Sequence, residues 1–150
     1  MNNISFRCAD IKDVNDIYLI DQEYEYEQYS IDMVKASIED EKYFNVILSI
    51  DDTAVGYLSA LMVADECELI KIVVKSSCRG NGYGKLLIDT LLSKCRENFT
   101  KKIFLEVRND NTEAKNLYEK CGFKKVHTRK GYYAGVDADI YWCELDGKKD

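Results

Sequence analysis

The sequence predicts an α/β fold built on a mixed β-sheet, and three observations support this prediction. The chain has 150 residues, of which 46% are hydrophobic, enough to form one buried core of ordinary size. Apolar residues recur with strand periodicity in some segments and with helix periodicity in others, and the two kinds of segment alternate. No repeat, low-complexity stretch or Gly/Ser-rich linker interrupts the chain, so we expect residues 1–150 to form a single domain.

The N-terminal part is predicted to contain a strand and two helices. Residues 4–8 have strand character, and Asp10 can cap a helix whose apolar residues recur three and four positions apart. A second helix is predicted to start at Ser30. Between the helices, residues 21–29 interleave acidic and aromatic side chains without an apolar face. This segment is either a solvated charge run or one wall of a site for a cationic substrate.

The middle of the chain predicts a hairpin, a central strand and a long helix. Apolar residues alternate over 44–50 and 55–63, on either side of a turn at Asp51-Asp52-Thr53, which is typical of an antiparallel hairpin. Residues 69–74 are almost continuously apolar, so we expect a strand buried on both faces at the centre of the sheet. A helix is predicted from about 83 to 97.

The C-terminal part predicts another strand, a helix and a final strand pair. Residues 103–108 form the strand, and the helix begins at a cap-like Asp110 and ends at Gly122. Residues 124–126 and 140–145 are predicted to close the sheet. The resulting order, β-α-α-β-β-β-α-β-α-β-β, is typical of an α/β domain with a mixed sheet.

Charge and composition exclude several classes of function. Lys and Arg total 21 against 27 Asp and Glu, a formal net charge of −6, which disfavours nucleic acid and anionic membranes as partners. A basic peptide or a polyamine remains a reasonable partner, although an acidic surface can also serve solubility alone. The first residues lack the pattern of a secretion signal and no window resembles a membrane span, so we expect a cytoplasmic, unanchored protein.

The cysteines do not indicate a metal site or a nucleophile. None of the six forms a C-x-x-C pair, and His127 is the only histidine, so both a zinc site and a Cys-His catalytic pair are disfavoured. We expect reduced and mostly buried thiols.

A glycine-rich segment after the predicted central strand carries the clearest functional signal. Gly80, Gly82 and Gly84 let the backbone curl so that successive N–H groups point at one spot, beside the positive end of a helix dipole. Such a loop can hold phosphate, although a plain tight connection is the alternative. A nucleotide-binding P-loop needs Ser or Thr at the position of Leu86, and a dinucleotide-binding motif needs glycine at the position of Leu87. The segment therefore matches neither nucleotide-binding motif.

Two blocks of residues resemble the GNAT superfamily of N-acetyltransferases. The run Arg79-x-x-Gly82-x-Gly84 after an apolar strand is similar to the acetyl-CoA pyrophosphate loop of that family, Q/R-x-x-G-x-G/A. A downstream block resembles its ribosomal-protein-alanine N-acetyltransferase subfamily: Leu105-Glu106-Val107-Arg108, Asn111, Ala114, Leu117-Tyr118, Gly122-Phe123, Arg129, Tyr132-Tyr133 and Asp137-Ala138. The resemblance covers residues 44–145 well. The chain departs from the family at Lys75-Ser76, where a proline is common, and at Gly80 and Asn81, where a basic residue is common.

The resemblance implies a fold and a cofactor site. The fold would be a mixed central sheet of six to seven strands flanked by about four helices, with the acetyl-CoA loop between the central strand and the following helix. The co-substrate would be acetyl-CoA, with no metal. The implied acetyl-CoA-binding residues are Ile72, Val73, Val74, Arg79, Gly80, Asn81, Gly82, Tyr83, Gly84, Lys85 and Asn111. Asn111 can equally be a polar residue that starts a helix.

Two side chains are candidates for catalysis. Glu106 is a carboxylate in an otherwise apolar strand, where it is either part of a structural ion pair, with Arg108 or a neighbouring lysine, or a general base. Tyr118 lies on the apolar stripe of a helix, where it is either a core aromatic or a proton donor. The resemblance implies that Glu106 accepts a proton from the amine and that Tyr118 donates one to the departing CoA thiolate. A free backbone N–H near Val74 would stabilise the developing oxyanion.

The implied reaction is acetyl transfer to the N-terminal α-amine of a protein, with a basic ribosomal protein as the expected partner. The resemblance implies that Tyr29, Arg129, Tyr132 and Tyr133 bind the acceptor. Acidic residues at 23, 25 and 27 would favour a basic peptide. The alternatives are a small-molecule amine such as a polyamine or aminoglycoside, a lysine side chain, or an acetyl-CoA-binding module without turnover. We expect a monomer or a weak dimer.

Overall fold

The computed structural model describes residues 3–145, so Met1, Asn2 and residues 146–150 of the predicted single domain lie outside it. Seven strands and four α-helices follow in the predicted order. They are β1 (Ile4–Cys8), α1 (Val14–Asp21), α2 (Ile31–Glu39), β2 (Tyr43–Ile50), β3 (Thr53–Val63), β4 (Glu66–Val74), α3 (Tyr83–Glu97), β5 (Lys102–Arg108), α4 (Thr112–Lys120), β6 (Lys124–Tyr133) and β7 (Val136–Glu144).

The strands form one mixed sheet in the order β1-β2-β3-β4-β5-β7-β6, with β4 at its centre. All neighbouring strands are antiparallel except β4 and β5. One face of the sheet packs against α3, with buried residues such as Leu91. The other face is covered by α1 and α2 through a smaller cluster that includes Ile17 and Val34. Within residues 3–145 no helix is long and apolar enough to cross a membrane.

The parallel pairing of β4 and β5 is short, and this opens the centre of the sheet. Residues 66–68 pair with residues 102–104, and the pairing ends at Glu68 and Phe104. Beyond that point, Leu69–Val74 remains paired only with β3. A gap therefore opens between β4 and β5 toward their C-terminal ends.

The central strand is less uniformly buried than its apolar sequence suggests. A register shift at Ile70 places Leu69 opposite Ala60 but Lys71 opposite Ser59, so the strand carries a β-bulge. Buried and half-buried residues alternate along β4, and Lys71 is among the buried ones. The expected burial on both faces is therefore wrong in detail, because the missing partner leaves one edge facing the gap.

Two further sequence predictions are corrected by the structure. Helix α4 is capped by Asn111, whose side chain accepts a hydrogen bond from the Ala114 N–H at 3.2 Å, and not by Asp110. Strands β6 and β7 are also longer than the predicted pair at 124–126 and 140–145, and only two residues, Ala134 and Gly135, connect them. Most of β6 is exposed, so it lacks the apolar alternation that predicts a strand.

Candidate active site

A cavity of about 500 Å³ occupies the gap between β4 and β5. It is lined by β4, by the glycine-rich loop and start of α3, by β5 and α4, and by the loop between α1 and α2, which spans residues 22–30 and is called the α1–α2 loop below. The site residues predicted from the sequence that line it are Ile72, Val73, Val74, Arg79, Gly80, Gly82, Tyr83, Gly84, Lys85, Glu106, Asn111 and Tyr118. The structure thus brings the glycine-rich loop and both candidate catalytic residues to one cavity.

Two of the three glycines in the glycine-rich loop have the special backbone conformation that the sequence predicts, whereas Gly84 lies within α3. Gly80 and Gly82 both have φ of +81°, a left-handed conformation that side-chain-bearing residues rarely adopt. Gly82 caps α3, whose first-turn N–H groups have no partners within the helix. These donors and the helix dipole create positive potential at this end of the cavity, as a phosphate group requires.

Arg79 and Asn81 shape this loop from within. The Arg79 Nε donates to the Val74 carbonyl at 3.0 Å, and its guanidinium lies 3.7 Å from the exposed Glu25 carboxylate. The Asn81 amide donates to the Cys78 carbonyl at 3.0 Å, and Asn81 does not line the cavity. The structure therefore shows Arg79 beside the cavity and Asn81 holding the turn. Lys85, also at the cavity, pairs with Asp89 at 2.9 Å.

The free edge of β4 supplies backbone donors to the cavity. The Lys75 N–H donates to the Val55 carbonyl of β3 at 2.8 Å. Because successive N–H groups of a strand point to opposite edges, those of Val74 and Ile72 face the gap. The strand pairing with β5 has already ended there. An N–H at Val74 is therefore placed as the sequence analysis expected for stabilising an oxyanion.

Glu106 of β5 lines the cavity and lies on the face of β5 that does not contact the main core. Its carboxylate accepts a hydrogen bond from Arg129 Nη1 at 2.9 Å, and its side chain is 24% exposed. Arg108, the ion-pair partner considered from the sequence, is instead bound to Asp110 by two 3.0 Å hydrogen bonds. Glu106 is thus ion-paired, with Arg129 and not with Arg108, and it also lines the cavity.

Tyr118 lies on the opposite side of the gap, on α4. Its ring packs against Phe123 and Tyr141, with centroids 5.9 and 6.4 Å away. Burial raises the pKa of its hydroxyl above the ordinary value, with a smaller effect from Tyr24. No hydrogen-bond partner for the hydroxyl is found among residues 3–145, although the residue lines the cavity. Tyr118 is therefore a packed aromatic with a protonated hydroxyl available to a ligand.

A fully buried aspartate that the sequence analysis did not single out supports this side of the site. Asp139 of β7 is 0% exposed and accepts hydrogen bonds from Lys115, Asn109 and Thr128 at 3.0, 3.0 and 2.9 Å. Burial opposes its ionisation, but the three donors outweigh burial and hold the pKa of its carboxyl below the usual range. Asp139 thereby fixes the turn between β5 and α4 that carries Asn111.

Aromatic and cationic side chains form a rim around the part of the cavity that is close to Glu106. Tyr26 of the α1–α2 loop contacts Arg108, whose guanidinium lies 4.9 Å from the Tyr26 ring and 5.8 Å from the Tyr133 ring. Arg129 lies 4.8 Å from the Tyr132 ring. The α1–α2 loop and the end of β6, predicted as two walls, are therefore bridged by Arg108, which the sequence analysis considered only as an ion-pair partner.

None of the four predicted acceptor residues lines the cavity. Arg129, Tyr132 and Tyr133 lie on β6 at the rim, outside the cavity lining. Within the α1–α2 loop, the Tyr29 ring packs over the buried Lys71 side chain. Tyr24 and Tyr26 line the cavity instead.

The expected acidic wall is also largely occupied by contacts within the chain. Glu23 accepts hydrogen bonds from the backbone and side chain of Ser76 at 2.7 and 3.1 Å, which lowers its pKa. Glu25 faces Arg79. Charge selection by these two residues is therefore weaker than their sequence suggests. No group of three metal-binding side chains is found within residues 3–145.

Comparison with known proteins identifies the family. The sequence profile described as the acetyltransferase (GNAT) family matches residues 11–123. The chain belongs to the GNAT acetyltransferase family. The ribosomal protein bS18-alanine N-acetyltransferase of Haemophilus influenzae is 34% identical over 121 residues, which are 81% of this chain and 82% of that protein.

Solved GNAT structures agree with the fold. The ribosomal-protein-S18-alanine N-acetyltransferase from Escherichia coli has a TM-score of 0.89 and 27% identity, covering 100% of this chain and 97% of that one. The NatC complex bound to Gag peptide and CoA contains a chain with a TM-score of 0.84 and 23% identity, covering 96% and 99% of the two chains. The predicted GNAT fold, with its seven-stranded mixed sheet and four helices, is confirmed.

Proposed function

We propose that this GNAT protein transfers the acetyl group of acetyl-CoA to the N-terminal α-amine of a protein, namely the N-terminal alanine of a small-subunit ribosomal protein. The observation that carries the proposal is that Glu106 and Tyr118 line one cavity on either side of the unpaired edge of β4. The relatives named for ribosomal protein S18 alanine acetylation support this choice of acceptor.

The residues present fit acetyl-CoA. The left-handed glycines and the N-terminus of α3 provide donors for the pyrophosphate, and the free edge of Ile72–Val74 can bind the pantetheine arm. Asn111 lies at the same cavity while its side chain caps α4. The thioester supplies the acetyl group and a thiolate leaving group. Nothing in the proposed chemistry requires a metal.

An N-terminal amine suits this site because it loses its proton readily. Its unperturbed pKa is about 7.7–8.0, against about 10.4 for lysine. The Glu106 carboxylate accepts the proton, directly or through a water molecule, as the amine nitrogen forms its bond to the acetyl carbon. Since Arg129 already pairs with Glu106, the acceptor must share or replace that contact.

The remaining groups stabilise the charge that moves during transfer. The Val74 N–H donates to the thioester oxygen as negative charge develops on it. When the carbon–sulfur bond breaks, the Tyr118 hydroxyl gives its proton to the sulfur. Because the pKa of Tyr118 is raised, its hydroxyl is protonated at neutral pH before the transfer.

We place this activity in the cytoplasm. All six cysteines are free, as reducing conditions require, and the proposed acceptor is a ribosomal protein. The chain would act as a monomer or weak dimer on a basic protein N-terminus, and its net charge of −6 argues against nucleic acid as a ligand.

The first experiment presents acetyl-CoA with two arginine-rich peptides at equal concentration. One has a free N-terminal alanine, and the other has a blocked N-terminus and an internal lysine. Mass spectrometry should find acetyl on the alanine amine alone. Acetylated lysine, or turnover only with polyamines or aminoglycosides, would assign the protein to the other acceptor classes.

The catalytic assignments are tested with the same peptide. Glu106→Gln should lower the rate at neutral pH by about 10²–10⁴-fold, the range typical of a lost general base. Glu113→Gln is the control, because that carboxylate also lines the cavity but lies in the first turn of α4. An unchanged rate in Glu106→Gln would remove Glu106 from the mechanism, and acetyl-CoA binding without turnover in any variant would favour a non-catalytic module.

A further inference from the structure

A buried ion pair lies beneath the α1–α2 loop, and the proposed chemistry does not use it. Lys71 Nζ of β4 is 2.8 Å from Asp21 Oδ1 at the end of α1, and the two side chains are 6% and 0% exposed. Asp21 also accepts hydrogen bonds from the Tyr57 hydroxyl of β3 and from the Tyr29 backbone N–H, the latter at 2.5 Å. One carboxylate therefore joins α1, β3, β4 and the α1–α2 loop.

The Lys71 ammonium contacts the loop at three further points. It donates a hydrogen bond to the Glu27 carbonyl. Its Nζ lies 3.8 Å from the centroid of the Tyr29 ring and 4.8 Å from that of Tyr24, so both rings present their π-systems to the cation. The charge is thus in contact with the first half and the second half of the loop at once.

Burying a charged side chain at this position costs desolvation free energy, which packing alone would not require. Burial disfavours an ammonium, and buried ion pairs are often no more stable than apolar residues of similar volume. The neighbours of Lys71 on β4, Ile70 and Ile72, are apolar. A methionine would fill the space without desolvating a charge. The cation must therefore be explained by the contacts that only a cation makes. Apart from the ion pair with Asp21 at the end of α1, those contacts are with the loop.

The loop that these contacts hold is part of the site. Tyr24 and Tyr26 line the cavity, and Tyr26 contacts Arg108 at the rim. Lys71 immediately precedes Ile72 on the strand whose free edge lines the same cavity. Fixing the loop to Lys71 therefore fixes the distance between the acceptor side of the site and that edge.

We propose that Lys71 is a positioning residue for acceptor binding. Its ammonium, paired with Asp21, holds the α1–α2 loop against β4 so that Tyr24 and Tyr26 form a preorganised wall of the acceptor site. The acceptor part of this inference rests on the proposed function, whereas the positioning of the loop does not. Lys71 also lines the cavity, but its ammonium is engaged by Asp21 and the loop, so we assign its effect on acceptor binding to the loop.

The loop is tested first, without any substrate, by amide hydrogen exchange. Lys71→Met should raise the exchange rate of residues 22–30, and of the Tyr29 amide in particular, by roughly tenfold or more, while α3 stays protected. Lys94→Met is the matched control, because Lys94 also lies over an aromatic ring, that of Phe44 at 5.7 Å, but on α3 and away from the loop. Unchanged exchange in residues 22–30 of Lys71→Met would overturn the proposal.

Kinetics then separate positioning from a purely structural role. In Lys71→Met we expect the KM for the alanine peptide to rise roughly tenfold, with the dissociation constant for acetyl-CoA unchanged. The double variant Asp21→Asn, Lys71→Met leaves no unpaired buried charge. The asparagine carbonyl can accept from the Tyr29 N–H, and its amide can donate to the oxygen of the Tyr57 hydroxyl, because these two groups bind different oxygens of Asp21. The double variant should recover the free energy of unfolding lost in Lys71→Met but keep the raised KM and the fast loop exchange.

The outcomes distinguish this inference from the proposed function. If the double variant recovers both the peptide KM and the loop protection, the cation has no positioning role and the proposal is wrong. If Lys71→Met does not fold, loop exchange and the peptide KM are compared between the double variant and the wild-type protein. If no variant acetylates the alanine peptide, the proposed function fails, while loop exchange still decides whether Lys71 positions the loop.

Discussion

Replacing Asp139 by asparagine should destabilise the protein strongly, because this buried carboxylate accepts hydrogen bonds from three donors. Asp139 is 0% exposed and binds Lys115, Asn109 and Thr128 within 3.0 Å. Asparagine has the same shape but no charge, and its amide group would face at least one of these donors. Removing one member of a buried ion pair costs about 3–5 kcal/mol.

That loss is a large fraction of the stability expected for a domain of this size, about 5–15 kcal/mol. It corresponds to a fall in Tm of about 6–20 °C. Urea unfolding followed by far-UV circular dichroism measures the free energy of unfolding, and the slope with urea should not change. Asp65→Asn is the control, since Asp65 makes only an exposed pair with Lys101 at 3.6 Å.

The pH dependence gives a second readout with a definite sign. The pKa of Asp139 is lowered in the folded protein, whereas an unfolded aspartate titrates at about 3.9. Its stabilisation is therefore complete above about pH 4 and is lost as the pH falls through the folded pKa. The difference between wild type and Asp139→Asn should shrink on acidification. A difference below about 1 kcal/mol at pH 7, matching Asp65→Asn, would refute the view that Asp139 anchors this turn.

Three further predictions concern the cavity itself. Tyr118→Phe should lower kcat by about 10²–10⁴-fold. Stability and acetyl-CoA affinity should change little, because the hydroxyl has no hydrogen-bond partner within residues 3–145. A low kcat with unchanged acetyl-CoA binding in calorimetry would support this role, and a normal kcat would contradict it. Gly82→Ala places a side chain on a residue with φ of +81°, at a strain of about 1–2 kcal/mol, and should weaken acetyl-CoA binding in isothermal titration calorimetry. The control is Gly135→Ala in the hairpin turn, where φ is +96°, and this variant should weaken binding less. Asn111→Ala removes the cap of α4 and should cost about 0.5–2 kcal/mol in urea unfolding, whereas Asp110→Ala, which caps nothing, should cost less.

The features that the sequence predicted well are those set by local periodicity or local backbone demands. The start of α2 at its Ser30 cap and the extent of α3 follow from spacing within one helix. The hairpin between β2 and β3 follows from alternation and from a turn where Asp51 and Asp52 both have positive φ. The glycine-rich loop is equally local, because Gly80 and Gly82 need their special conformation wherever the rest of the chain lies.

The features that the sequence did not predict depend on which side chains pair with one another and on how strands align. Asp110 and Asn111 are equally good caps by type, and the choice is decided by Arg108, which binds Asp110 with two hydrogen bonds. The bulge at Ile70 and the early end of the β4–β5 pairing arise from strand register, which no single segment encodes. Lys71 interrupts an apolar run, and only the position of Asp21 in space explains why it is tolerated.

Asp21 and Asp139, the two aspartates with 0% exposure among residues 3–145, each stabilise a different part of the site. Glu106 and Tyr118 sit on a strand and a helix, whose regular hydrogen bonds already fix the backbone. Other walls of the site are loops, which have no such internal support. Asp21 ties down the α1–α2 loop and Asp139 ties down the turn before α4, each by collecting three donors that lie far apart in sequence.

Substitutions at the reacting groups and at the two buried aspartates should therefore act differently. A change at Glu106 or Tyr118 removes a reacting group from a scaffold that stays in place, so it should affect kcat and leave ligand binding largely intact. A change at Asp21 or Asp139 leaves the reacting groups present but frees a wall of the site, so it should affect stability and binding first. Because each anchor holds a different wall and shares no partner with the other, the energetic effects of the two should be additive to within about 0.5 kcal/mol.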